Sequence, residues 1–199
     1  MPKVAIDLQF ATRLVNQSCV VIPTVYDASN KRTTGMSAQW QMPIDKKHIA
    51  LLLGAFSHTG DLITKTAYYV INIPRVKNLD DVDYFGMHHG NEVDKFAQTK
   101  FTLTHVPCKN EEEKTPNTKL CIEEALAWVE LKLESVTSVA DECDLESKLI
   151  IGEITRAWAD STDFDGQFYK YENMKKEDKP IHCINETKYA TIEPVDTVN

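Results

Sequence analysis

The sequence predicts a mainly β fold, a barrel or sandwich of six or seven short strands with few helices. Three observations carry that prediction. Apolar runs rich in β-branched residues recur along the chain, polar turn clusters punctuate them, and Val129, Leu131 and Leu133 alternate with Glu130, Lys132 and Glu134 in the period of two of a half-buried strand. No internal repeat is visible. A length of 199 residues suits one domain over 1–199, with 160–199 as a C-terminal extension or dimerisation tail.

The elements follow in order. Residues 19–26 (CVVIPTVY) form the first run, the polar cluster 27–32 turns the chain, and 34–42 returns, which reads as a hairpin. Residues 48–56 (HIALLLGAF) and 68–73 (YYVINI), the second closed by Pro74, are continuous apolar runs expected of strands buried on both faces. Between them Ser57-His58-Thr59-Gly60-Asp61 reads as the start of a short helix running to Lys65, with Ser or Thr as cap and Asp61 favouring the first turn. From 78 to 97 two starts, Asn78-Leu79-Asp80-Asp81 and Asn91-Glu92-Val93-Asp94, predict two short helices separated by Gly86 and Gly90. Residues 109–119 are the most polar stretch and read as a solvated loop. Good helix formers occupy 123–128, yet the alternation makes 128–136 a strand. Residues 149–158 (LIIGEITRAW) are another strand, 160–178 are turn-rich, and a last short strand is expected near 189–192.

Composition narrows the function. With 42% hydrophobic and 26% charged residues the chain can bury a core, which excludes disordered and fibrous classes. A net charge of −8 repels phosphate backbones and anionic lipid, and the longest basic runs are pairs such as Lys31-Arg32, so neither nucleic acid nor a membrane is an expected partner. No stretch of 18 apolar residues exists and the first residues lack an apolar secretory core, so a cytoplasmic location is expected.

Five cysteines, an odd number with no C-x-x-C pair, fit a reducing compartment and read as small buried hydrophobes. Histidines at 48, 58, 88, 89, 105 and 182 show no metal-ligand spacing, so no dedicated metal site is expected. The seven glycines never take the spacing of a G-x-G turn or a P-loop, and no G-x-S-x-G occurs; Rossmann, P-loop and nucleophile-elbow chemistries are excluded. Any phosphate must therefore be held by side chains and by local backbone amides.

Six segments in order carry a resemblance. TVYDASNKRTTGMSAQW at 24–40, HIALLLGAFSHT at 48–59, YVINIP at 69–74, VDYFGMHHGNEVDKF at 82–96, and ELKLESV at 130–136 with LIIGEI at 149–154 resemble the flavin reductase-like family of FMN-binding split-barrel proteins, flavoredoxins among them. The resemblance covers roughly residues 15 to 160. It implies a Greek-key split β-barrel with a few short helices, a homodimer, and FMN bound near the subunit interface.

FMN needs donors for a phosphate dianion and close backbone donors at the edge of its ring. In Thr34-Gly35-Met36-Ser37-Ala38-Gln39-Trp40 the small Gly35, Ser37 and Ala38 would let the strand backbone approach that edge; the plain alternative is a strand in which Gly35 completes a turn. Ser57, His58 and Thr59 sit where a buried strand meets a helix, so hydroxyls and amides could converge on a phosphate, although the same triplet is an ordinary helix cap. The resemblance favours the phosphate reading and adds Lys95, in Val93-Asp94-Lys95-Phe96, as cation for the phosphate or ribityl end; otherwise Lys95 is an exposed helix lysine. Where many members carry S-G-R or S-G-K, this chain has His89-Gly90-Asn91, which removes an arginine contact. Trp40 packs on the flavin or in the core. Trp128 and Trp158 are assigned to the core or a dimer interface, and the tail around His182 is assigned no role.

The resemblance implies redox chemistry on FMN with no catalytic side chain, NADH or NADPH being the donor and a flavin or other acceptor the recipient. The alternative is a flavoredoxin-like electron carrier with a protein redox partner and no nicotinamide use. A third reading is a β-barrel binding module without cofactor.

Overall fold

A computed structural model describes residues 18–107, 120–140, 145–185 and 188–194. The expected loop at 109–119 lies outside these residues. Strands β1 (Ile22–Asp27), β2 (Arg32–Gly35), β3 (Gln41–Pro43), β4 (His48–Leu53), β5 (Tyr68–Ile73), β8 (Ala127–Ala140) and β9 (Glu146–Ala159) form one antiparallel sheet in the order β2-β1-β5-β8-β9-β4-β3. Two small ribbons accompany it: β6 (Leu103–Thr104) with β7 (Cys121–Ile122), and β10 (His182–Asn185) with β11 (Lys188–Ala190). The helices are α1 (His58–Ile63) and α2 (Leu79–Met87), the second entered through a 3₁₀ turn at Val76–Asn78. Among the described residues no helix is long and apolar enough to cross a membrane.

The main core lies inside the curved sheet, where Val25, Leu51, Leu53, Tyr69, Leu131 and Ile150 meet Ile63 of α1. Deviations from period-two register at Glu130/Leu131 and Leu133/Ser135 bend the long β8–β9 hairpin. Beyond the second bulge β8 leaves the core and its residues 134–140 are exposed, while β9 residues opposite them stay paired with β4 and Ile150 stays in the core. A second apolar cluster joins Val82 and Phe85 of α2 to Val20, Ile22 and Ile181. The chain after β9 folds back here, with Val20 N donating to Ile181 O at 2.8 Å.

Three expectations need correction. The returning arm of the first hairpin, read as continuous over 34–42, is split into β2, a single bridge from Ala38 to Val21, and β3. Pro23 lacks an amide, so it accepts from Met36 N at 3.3 Å without donating back, and the ladder breaks there. No helix starts at Asn91. The Gly90 and Val93 carbonyls accept from Arg32 (2.8 and 3.0 Å) and Ala97 N donates to Asp94 Oδ1, so helical bonds give way to a 3₁₀ turn at Phe96–Gln98. The final strand has a partner, β10, that hydrophobic patterning did not reveal. Cys121 and Cys183 are buried and Cys19 half-buried.

Candidate functional site

The candidate site forms where β4 ends. Gly54 breaks the strand, and Ser57 caps α1 by accepting from Gly60 N at 2.9 Å while donating to the Met36 sulfur at 2.8 Å. His58 and Thr59 follow in the first turn, Thr59 buried and His58 half-buried. The opposite wall is the end of α2 and the loop beyond it, namely Phe85, Gly86, His88, His89 and Gly90, closed by Lys95. Together with Met36 and residues 54–56 these groups enclose a cavity of about 240 Å³ that no carboxylate lines. In a chain of net charge −8, such a lining favours an anion.

Lys95 is 3% exposed, far from the solvent-facing helix lysine that its sequence neighbourhood also allowed. Its ammonium donates to Gly35 O (2.9 Å) and Phe85 O (2.8 Å) and lies 5.4 Å from the Phe85 ring centroid. An ammonium has three protons, so one remains for a ligand. Burial lowers its pKa to about 8, because no carboxylate compensates the charge.

Behind the lining lie Asp27 and Arg32, which the sequence reading did not assign to the site, and Thr34, which it did. His58 Nε2 is 3.0 Å from Oδ2 of Asp27, whose side chain is 1% exposed. Burial alone would raise the Asp27 carboxyl, but donors from the Asn30 side chain, His58 and the Asn30 and Ser29 amides outweigh it and hold it at about 2. Arg32 ties the 90–93 loop through its terminal nitrogen while its Nε stays buried without a partner. Thr34 Oγ1 is likewise buried and unpartnered, and it lies so close under Gly90 that a Cβ there would be 2.1 Å from it. The glycine of His89-Gly90-Asn91 is thus required by that contact. The sequence offered no local signal for the Arg32 contacts, which reach Gly90 58 positions away.

The expected site residues separate into two groups. Met36, Ser57, His58, Thr59 and Lys95 line one cavity. Thr34 and Gly35 lie behind it; a Cβ on Gly35 would meet Pro23 O at 2.8 Å, so its small size serves packing against β1. Ser37 donates its hydroxyl to Val82 O and Ala38 exchanges two 2.8 Å bonds with Val21. The Ser37 and Gln39 amides, which alternate with these, have no acceptor among the described residues and mark the open side of the strand. Gln39 Oε1 is buried without a partner, whereas Trp40 stands 52% exposed just before β3, beyond the cavity lining.

Comparison with known proteins agrees with this architecture. A protein of unknown function, YddH of Escherichia coli K12, is 27% identical over 174 residues, covering 86% of both chains. Flavoredoxin of Desulfovibrio vulgaris (Miyazaki F) superposes with a TM-score of 0.73 at 21% identity, over 100% of this chain and 97% of its own. An FMN-binding domain of a flavin reductase-like enzyme from Shewanella baltica gives 0.75 at 19% identity, over 98% and 97%. The fold shared with these solved structures is the split barrel. The profile of the flavin reductase-like domain matches residues 13–177, most of the sequence, and the chain therefore belongs to the flavin reductase-like family.

Proposed function

We propose that the chain binds FMN and works as an NAD(P)H-dependent flavin oxidoreductase, passing electrons to a flavin or another acceptor. The carrying observation is the buried, counter-ion-free Lys95 on a carboxylate-free cavity. At about 240 Å³ the cavity is smaller than the ~300–1,000 Å³ that engulfs a drug-sized ligand, so it suits one end of the cofactor, the phosphate. The donor set fits that end: Lys95, Thr59 and the amides of the α1 start, with Ser57 shaping the turn. The unpartnered amides of Ser37 and Gln39 are the donors available to a ring edge.

When bound, FMN supplies hydride acceptance at its ring and onward electron transfer. The protein's part is to hold and orient. Lys95 and Thr59 neutralise and fix the phosphate, and the 34–40 strand presents its open side to the ring. No side chain is assigned proton transfer in the redox step. A homodimer belongs to the same reading: the end of β8, exposed over residues 134–140 and bearing Val136 and Val139, offers a surface for a second copy. Light scattering is expected to give twice 22.6 kDa.

The experiment is stopped-flow absorbance of FMN-loaded protein mixed with NADH or NADPH. Bleaching of the flavin within seconds is expected. One observation favours a second reading, an electron carrier serving a protein partner: Phe56 and Met87, both 73% exposed, flank the cavity as apolar contacts of the kind buried at interfaces. A flavin that stays oxidised with both nicotinamides but exchanges electrons with a reduced redox protein would select that reading. A purified protein that neither carries nor takes up FMN would overturn both.

A further inference from the structure

Among the described residues His58 is the only cavity-lining histidine bonded to a carboxylate. Asp27 closes β1 and accepts four hydrogen bonds, from Ser29 N (3.0 Å), Asn30 N (3.2 Å), Asn30 Nδ2 (2.8 Å) and His58 Nε2 (3.0 Å). A carboxylate only accepts, so Nε2 carries a proton in either charge state of the ring. Three of the four donors are neutral. Arg32, the cross-strand partner of Asp27, turns its guanidinium to the Gly90 and Val93 carbonyls instead. The buried Asp27 charge therefore has a charged partner only when His58 is imidazolium.

His58 lines the cavity, and the ring nitrogen left for a ligand there is Nδ1. Nδ1 has no protein partner among the described residues. On a neutral ring it is a lone pair, which repels a phosphate oxygen; on a protonated ring it is a charged N–H, which binds one. The titratable groups facing this ring are Asp27 on β1, Lys95 across the cavity, and His88 and His89 on the loop after α2. Asp61 on the same helix is drawn away to Lys148 at 2.8 Å.

We propose that His58, held by Asp27, is a proton-dependent contact for the FMN phosphate, so that binding of FMN, and not of riboflavin, draws a proton onto the ring. Asp27 is then a positioning residue and His58 a specificity determinant for the phosphorylated flavin. The proposal rests on FMN being the ligand of this cavity.

Calorimetric titration of flavin-stripped protein at pH 7, in buffers of differing ionisation enthalpy, counts the protons exchanged. The phosphate of FMN, with a second pKa of about 6, is mostly dianionic there and can only release protons to solution on meeting a cationic site. Lys95, lowered to about 8, is already mostly charged. Net uptake thus reports a histidine. We expect net proton uptake with FMN, none for riboflavin, and a loss of most of the uptake in His58→Gln and Asp27→Asn. FMN affinity of both variants should fall about tenfold at pH 7 with riboflavin affinity unchanged. His58→Arg, which keeps a cation beside Asp27, should retain FMN binding without proton uptake, and it decides the matter if Asp27→Asn does not fold. Uptake undiminished in His58→Gln, or equal losses for both flavins, would overturn the proposal. FMN bound without proton uptake by the natural protein would overturn this inference alone; no FMN binding at all would overturn the cofactor reading with it.

Discussion

Two buried cations, Arg75 and Lys95, stand on opposite footings. Arg75, 5% exposed, leaves the end of β5 and meets Asp160 at 2.8 Å, Asp163 at 2.7 Å and Asp178 at 3.7 Å, pinning the segment after β9 to the sheet. Lys95, 3% exposed, meets two carbonyls and no carboxylate. Burial costs each charge its hydration, and only the first has that cost offset within the protein. The first is a structural tie neutralised within the protein; the second is the group proposed above to be neutralised by a bound anion.

The largest expected effect tests the tie. Arg75→Met leaves Asp160 and Asp163 without their cation, Asp178 keeping Lys77 at 2.8 Å, and should cost about 2–4 kcal/mol in urea unfolding, the lower end reflecting the 41% exposure of Asp160. Lys95→Met relieves a desolvated charge but orphans two carbonyls, so its stability should stay within about 1 kcal/mol of the natural protein. Equal costs for the two would break the comparison. Thermodynamic loss and ligand loss should be opposite in the pair.

Ligand binding gives the next effect. Lys95→Met should weaken FMN by roughly ten- to hundredfold, about 1.5–3 kcal/mol, and leave riboflavin unchanged, with a flatter salt dependence for FMN. Thr59→Ala should act in the same direction toward the lower end of that range. Arg75→Met, measured where it is still folded, should leave the ratio of the two affinities as it was. Fluorescence titration with both flavins separates these cases, because damage to the loop harms both ligands and loss of a phosphate contact harms one. Parallel losses in Thr59→Ala would return Thr59 and Ser57 to the role of helix capping.

How far this contrast was readable from sequence depends on the reach of each interaction. The strands and the Ser57 cap follow from neighbours in the chain: the alternation at 129–134 and the polar residues before an apolar run were enough. Met36, Ser57, His58, Thr59 and Lys95 were brought to attention by the family resemblance, and the fold does gather them around one cavity. What Lys95 does there was not legible, since it bonds to Gly35, 60 positions away, and its Val-Asp-Lys-Phe setting fits an exposed turn equally well. Asp27 and Arg32 were missed for the same reason; their partners lie 31 positions away at His58 and 58 positions away at Gly90. Residues 37–40 do not line that cavity: Pro23 interrupts the ladder, and Trp40 lies just before β3.

The smallest effect is the dependence of stability on pH, and its sign is the sharpest test of an uncompensated Lys95. Burial lowers the folded-state pKa to about 8 from 10.5. Between those values the unfolded chain holds more protons than the folded one, so stability rises with pH across that window; below about 8 the full penalty of the buried charge is present. The gain between pH 7 and pH 9 should be about 1 kcal/mol, and Lys95→Met should remove it. FMN binding should respond oppositely, its affinity declining above pH 8 as the ammonium loses its proton, while riboflavin stays level. Urea unfolding of flavin-stripped protein at pH 7, 8 and 9, paired with FMN titration at the same values, measures both trends. A stability that falls over this range in the natural protein and not in Lys95→Met would mean that Lys95 already has an anionic partner in the folded chain, and the distinction between the two cations would be lost.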